Sequence, residues 1–183
     1  IRQAGSDCHA FLARMLAFTR VSRSDRKPTE MTALVRDTLA LFQQSTDQHP
    51  RVVAALPDGP VTLDVDAVLI RHALFNLLTN AAQANPPGGA IAVRLQPAEG
   101  PSGMPGWSLA VIDEGPGLAE DVRDKLFTPF FTTRPDGTGL GLAVVKHVAM
   151  LHEGEITADN RPAGGAVFAL WLPVAANTQG SAA

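Results

Sequence analysis

A single cysteine, Cys8, is all the thiol chemistry in 183 residues. That excludes an intrachain disulfide framework and fits a reducing, cytoplasmic setting. Also missing is the run of about 20 apolar residues that a membrane span needs. The uncharged tail comes nearest, but its apolar part, Ala166 to Leu172, stops at Pro173 and gives way to Asn177-Thr178-Gln179-Gly180-Ser181. It reads as a last strand followed by a loose end. A basic surplus is absent too: net charge is −3 and the pI about 5.9, so no surface is built for nucleic-acid phosphates. No basic segment followed by an apolar core opens the chain, and it starts on Ile1 rather than Met, which leads us to expect a piece of a longer protein. No internal repeat divides it. What is present is a globular composition, 45% hydrophobic and 18% charged, enough for one domain and an appendage. The 16 glycines and 14 prolines are unevenly spread, and where they gather matters below.

The first segment carries a helical seam. Ile1, Ala4, Cys8, Phe11, Met15 and Phe18 step by threes and fours, so this helix must pack against another in a bundle or coiled coil. The cluster Arg20, Arg23, Arg26 and Lys27 follows, suited either to a helix C-terminus or to a solvated basic turn. Pro28 marks a break. Met31, Leu34, Val35, Thr38, Leu41 and Phe42 give a second helical stripe, ended by His49-Pro50. Strands are expected over 52–56 and 61–63, a long helix over 66–84, and strands over 90–95 and 107–112. A helix over 140–151 and strands over 155–158 and 166–172 complete the reading. Helices interleaved with short strands predict a two-layer α/β sandwich behind a helical appendage.

Four segments carry chemistry. On the long helix His72, Asn76, Asn80 and Gln83 share one stripe, while Leu69, Ala73, Leu74, Leu77, Leu78 and Ala81 make the rest apolar. Lys and Glu are better helix formers than Asn, so a role for these amides competes with an ordinary solvated face. An amide oxygen is a hard neutral ligand suited to Mg²⁺ that keeps most of its waters and bridges phosphates. Next, Val111-Ile112 runs into Asp113-Glu114-Gly115-Pro116-Gly117. There an acid at a strand end could accept from the amino group of a base, and Gly115 and Gly117 would let a planar ring approach; a plain tight turn is the alternative. Finally Gly137-Thr138-Gly139-Leu140-Gly141-Leu142 opens a helix, exposing backbone N–H groups to an anion unless it is only a loop and cap. It matches neither the Walker pattern nor the dinucleotide fingerprint. Between the glycine boxes, Phe127, Phe130 and Phe131 suggest a lid with an aromatic latch, and Arg134 is placed to reach a phosphate, with core packing and solvent as the competing accounts.

Taken together, the segments HALFNLLTNAAQA, VIDEGPGL, LFTPFFTT, GTGLGLAVVKHVAMLHEGEI and GGAVFALWLP resemble the ATP-binding catalytic domain of sensor histidine kinases, over roughly residues 51–173. The Asn-Ala-Ala-Gln-Ala variant and the PFFTTRPDGTGLGL lid look most like the nitrogen-regulatory and flagellar-regulatory subgroup. The resemblance implies a Bergerat-type fold, a mixed sheet with helices on one face, preceded by part of a helical hairpin. It implies Asn80 as the Mg²⁺ ligand with Asn76 beside it, Asp113 as the reader of adenine, and Gly115 and Gly117 against the nucleotide. The lid would run over 118–136, with Arg134 on a phosphate and Gly137, Thr138, Gly139, Leu140 and Gly141 around the triphosphate. Gln83 stands where other members often carry Lys or Arg and is counted with the nucleotide set.

The same resemblance implies boundaries: 1–27 as the end of the second helix of a dimerisation and phosphotransfer hairpin, 28–50 as a connecting helix, 51–174 as the ATP-binding domain and 175–183 as a flexible tail. The phosphoacceptor histidine would lie upstream of Ile1, because none of His9, His49, His72, His147 or His152 is followed by a Glu-x-x-x-Pro arrangement; His152 precedes Glu153 but reads as structural. The expected activity is that Mg·ATP gives its γ-phosphoryl group to that histidine for relay to an aspartate on a response-regulator receiver domain, in a homodimer formed through the hairpin. No catalytic residue, nucleic-acid contact or membrane contact is expected in this stretch, which should bind ATP without phosphorylating itself. The alternatives are an ATPase of the topoisomerase, mismatch-repair or chaperone type, or a nucleotide-binding interaction module. Those ATPases carry a Glu base one turn before the Mg²⁺-binding Asn, and here that place is Asn76, which cannot take a proton.

Overall fold

A computed structural model describes residues 24–45, 50–134 and 137–174. The seamed helix expected at the N-terminus and the tail over 175–183 lie outside the described residues. In chain order the elements are β1 (Lys27–Glu30), α1 (Met31–Ser45), β2 (Arg51–Ala55), β3 (Thr62–Val65), α2 (Ala67–Ala84) and β4 (Ala90–Glu99). A 3-10 turn (Pro101–Gly103), β5 (Pro105–Ile112), α3 (Glu120–Arg123), α4 (Gly141–Leu151), β6 (Glu155–Asn160) and β7 (Ala166–Pro173) follow.

Five strands form one mixed sheet in the order β2-β4-β5-β7-β6, with β2 parallel to β4 and every other pair antiparallel. Alternation along the strands sets its inner face. Val93 lies opposite Val111 and Leu95 opposite Leu109, while Leu109 lies opposite Leu170 and Val111 opposite Phe168. All of these are buried, whereas Arg94 and Val53, of opposite parity, are exposed. α1, α2 and α4 supply the second layer of the same core through Met31, Val35 and Phe42, through Ile70, Leu74, Leu77 and Leu78, and through Val145 and Val148. This is the two-layer sandwich expected from the sequence.

Two local departures have simple causes. The helix expected to connect two units shares this core, its Phe42 ring meeting Phe75 edge-on at 5.4 Å. On it Leu39 is buried and Leu41 is 50% exposed, so Leu41 leaves the stripe assigned to it. In the unbroken apolar run Leu39-Ala40-Leu41-Phe42, spacing alone does not say which leucine faces inward. Secondly, Lys27–Glu30 is a strand rather than a mere break, pairing antiparallel with β3 in a separate ribbon. Pro28 is tolerated because a two-stranded ribbon leaves an outer edge where a missing N–H costs nothing. Glu30 then opens α1, its carboxylate accepting from the backbone N–H of Thr32 at 2.8 Å and Ala33 at 2.7 Å.

The end of the domain where α2 starts and α4 stops is closed by two polar residues. Asp66 caps α2 by accepting from Val68 and Leu69 N–H. Buried His152 follows α4: its Nε2 accepts from Asp66 N–H at 2.9 Å and its Nδ1 donates to Val148 O at 2.8 Å. Arg26 bonds the Leu151 carbonyl and pairs with Glu153 at 3.0 Å, so one cation of the basic cluster does serve a helix C-terminus, that of α4. Burial, with the Arg26 charge nearby, holds the His152 pKa below its ordinary 6.5 despite the bond to Val148 O. Below that pH the unfolded chain takes up a proton that the folded imidazole resists, so stability falls as pH falls, by at most about 1.4 kcal/mol per pH unit from this one group. Urea denaturation of wild type and His152→Gln between pH 7.5 and pH 5.5 should show wild type losing more; equal losses would remove His152 from the account.

Candidate functional site

The site is organised along α2. Asn76 and Asn80 are half-buried on one stripe, and neither side-chain amide is hydrogen-bonded among the described residues. Each costs this helix roughly 0.7 kcal/mol relative to Ala. Burial of Leu74, Leu77 and Leu78, each contributing about 2 kcal/mol, outweighs that cost, so two idle amides are tolerated. His72, on the same stripe, is exposed at the end away from the chemistry.

One residue past α2, Asn85 takes hold of the segment after β5. Its Oδ1 accepts from Glu114 N–H at 2.7 Å and its Nδ2 donates to Ala90 O at 3.1 Å, while the Glu114 carboxylate accepts from Ala90 N–H at 3.0 Å. A Cβ on Gly115 would stand 2.8 Å from Ala84 O, so the loop lies directly on the last turn of the helix. Asp113 is 3% exposed at the sheet end. Its Oδ1 accepts from Ala166 N–H at 3.0 Å and Gly115 N–H at 2.9 Å, while Oδ2 accepts from nothing among the described residues. Arg161 donates to Asp113 O at 2.9 Å, and Asn160 bonds Leu118 through both its amide N and O. Gly165, with φ +85°, lets its chain cross so close that a Cβ would fall 2.0 Å from Asp113 O.

The lid segment is described up to Arg134, and Pro135 and Asp136 lie outside the described residues. Phe127 packs against the core with the Lys146 ammonium 6.0 Å from its ring centroid, whereas Phe130 is 58% exposed, so only part of the expected aromatic latch engages the body of the domain. Phe130 holds φ +66° and donates its N–H to Gly139 O at 2.9 Å. Gly139, at φ +65°, lies so near that a Cβ would be 2.4 Å from the Phe130 carbonyl carbon. Gly137 packs in the same way on Thr132, so these two glycines close the lid on itself. Gly141 instead faces α2, where a Cβ would stand 3.5 Å from Asn76 Oδ1. Leu140 is buried, leaving only its backbone to meet a ligand, and α4 has no side-chain cap over its first N–H groups. Thr138 is half-buried beside them. Arg134 reaches across to α2, donating through Nη1 to Gln83 Oε1 and through Nη2 to Asn80 O at 3.3 Å.

Successive turns of α2 thus meet the glycine box at Asn76, the lid at Asn80 and Gln83, and the acidic loop at Ala84 and Asn85. The arrangement offers an unbonded carboxylate oxygen, two unbonded amides, a guanidinium and uncapped helical N–H groups around one helix: acceptors for a base and donors for an anion. Sequence reasoning missed Asn85, Glu114, Asn160, Arg161 and Gly165. The paired glycines before the last strand were the one signal that pointed to any of them.

The family model described as "Histidine kinase-, DNA gyrase B-, and HSP90-like ATPase" matches residues 65–176. The chain is 34% identical over 171 residues to the signal transduction histidine-protein kinase AtoS of Escherichia coli K12, covering 93% of this chain and 27% of that protein. It is 40% identical over 193 residues to the sensor histidine kinase ZraS of Salmonella typhimurium, covering 96% of this chain and 40% of that protein. It therefore spans well under half the length of either. Among solved structures, the mycobacterial sensor histidine kinase MprB superposes with a TM-score of 0.70 at 30% identity, over 81% of this chain and 97% of that one.

Proposed function

The chain belongs to the histidine kinase-, DNA gyrase B- and HSP90-like ATPase family and carries its ATP-binding domain, and we propose that it binds Mg·ATP as the catalytic part of a sensor histidine kinase. The observation that carries this is Asp113. Its Oδ1 is saturated by two backbone N–H groups, and its Oδ2, on a residue only 3% exposed, is left to accept from the amino group of adenine. In a dry site a hydrogen bond to a charged acceptor is among the stronger ones. Gly115 and Gly117, expected to admit the base, instead seat the acidic loop beside it, where a Cβ would stand 2.8 Å from Ala84 O and 2.8 Å from Asn160 Oδ1 respectively.

The triphosphate would then lie along α2 toward α4, against the uncapped N–H groups at Gly141 and the backbone of Thr138, Gly139 and Leu140, with Arg134 from the lid and Gln83 at its rim. The unbonded amide of Asn80, with Asn76 one turn earlier, fits a hard cation that keeps most of its waters. Mg²⁺ bound there would neutralise phosphate charge. The protein's own part is positioning, because Asn76 cannot act as a base on water, and that favours transfer over hydrolysis. In the intact protein the acceptor would be a histidine on a dimerisation hairpin, and an aspartate on a response-regulator receiver domain would take the phosphoryl group from it.

Calorimetric titration with ATP and Mg²⁺ should show Asp113→Asn binding roughly 20-fold more weakly than wild type, the loss of one charge-assisted bond. Equal affinities would reject the adenine assignment. Incubation with γ-labelled ATP should leave this chain unlabelled; label on it would overturn the proposal of an external acceptor.

A further inference from the structure

Within that nucleotide reading, on which this inference rests, one pair of side chains has a division of labour that sequence comparison alone does not assign. We infer that Gln83 is a positioning residue that touches no phosphate itself and acts by holding Arg134 over the triphosphate site. Arg134 comes from the lid, 51 residues further along the chain, yet it is held at two points on α2, the Gln83 side chain and the Asn80 carbonyl. Those contacts use one N–H on Nη1 and one on Nη2. A guanidinium carries five N–H donors in a fixed plane, so three remain for oxygen atoms of a ligand. The Asn80 carbonyl that accepts from Nη2 belongs to the same residue whose side-chain amide stands unbonded, so the cation and the proposed metal ligand sit side by side.

The residue type at position 83 matters for the same reason. Lys or Arg there would repel Arg134 at hydrogen-bonding distance, and Glu would neutralise it and cancel its pull on phosphate. A neutral acceptor on a rigid helix fixes the guanidinium while leaving its charge intact. The cation of this site is thereby carried by the lid and aimed by the helix, and ordering the lid also orders the phosphate contact. Preorganisation of this kind raises affinity for the ligand without adding a contact.

The test is a double-mutant cycle on the full chain, using Gln83→Ala, Arg134→Ala and the pair. ATP affinity with Mg²⁺ is read by calorimetry, and adenosine affinity by displacement of a fluorescent ATP analogue. Arg134→Ala should weaken ATP about tenfold, as expected for one charge-assisted contact. Gln83→Ala should weaken it three- to fivefold in the wild-type background and not at all in the Arg134→Ala background, with adenosine unchanged throughout. Gln83→Glu should also weaken ATP while leaving adenosine unchanged. An equal loss from Gln83→Ala in both backgrounds, or a parallel loss for adenosine, would overturn the inference and leave the nucleotide reading standing. Failure of wild type to bind ATP would remove that reading, and this inference with it.

Discussion

Asn80→Ala is expected to lower affinity for ATP roughly 100-fold in Mg²⁺, the upper range for loss of a metal-site ligand, and to leave binding in EDTA unchanged. The two conditions separate a metal ligand from a residue that merely lines the pocket, because only the first loses its effect when the metal is removed. The same substitution should make the unliganded domain slightly more heat-stable, by one or two degrees. It exchanges a half-buried, unbonded Asn for the best helix former, a gain of about 0.7 kcal/mol. Loss of ligand binding together with a gain in stability is the signature of a residue retained for function at a structural cost. Equal loss with and without Mg²⁺ would remove Asn80 from the metal site.

Gly165→Ala should lower the melting temperature by about 10 °C. The added Cβ would fall 2.0 Å from Asp113 O and 2.8 Å from its carbonyl carbon, both backbone atoms, at φ +85°. Relieving that overlap means separating β7 from the acidic loop, at a cost of about 3–4 kcal/mol, and each kcal/mol is worth about 2–4 °C in a domain of this size. Because the displaced group is the backbone of Asp113, ATP affinity should fall as well. Neighbouring glycines supply the controls. Gly164 has φ +89° but open space around it, so Gly164→Ala should show backbone strain alone, about 1–2 kcal/mol. Gly59 has neither positive φ nor neighbours within 4 Å, and Gly59→Ala should be neutral or slightly stabilising. A Gly165→Ala chain as stable as Gly164→Ala would show that the close crossing is not needed.

These two residues mark what the sequence does and does not disclose. Asn80 is legible because it breaks a local rule: an amide in the middle of an otherwise apolar helix, spaced from Asn76 by one turn. The acid and glycines of 113–117 and the glycine box are legible for the same reason, since their chemistry is written in consecutive residues. Gly165, Asn160 and Arg161 are not, because their roles exist only once β6 and β7 have brought them back to Asp113 and Leu118 from about 40 to 50 residues away. The same division runs through the fold. Strands and helices appear in the alternation and helical spacing of apolar residues, but the strand order β2-β4-β5-β7-β6 has no local signature. β1 is invisible because Lys-Pro-Thr-Glu has no apolar alternation and owes its conformation to β3. Leu39 and Leu41 differ by the packing of α1 on Phe75 and its neighbours, which no periodicity within α1 records.

The attachment of three separate segments to consecutive turns of α2 also limits how this chain can change in length. Each residue turns an α-helix by about 100°, so one inserted or deleted between Asn76 and Asn85 would swing everything beyond it off its partner. Gly141, Arg134 and Glu114 could not all be met at once. The exposed turn at 58–60 touches none of these partners. Tolerated length variation is therefore confined to turns of that kind, and the ten residues from Asn76 to Asn85 act as a fixed ruler against which the rest of the pocket is measured.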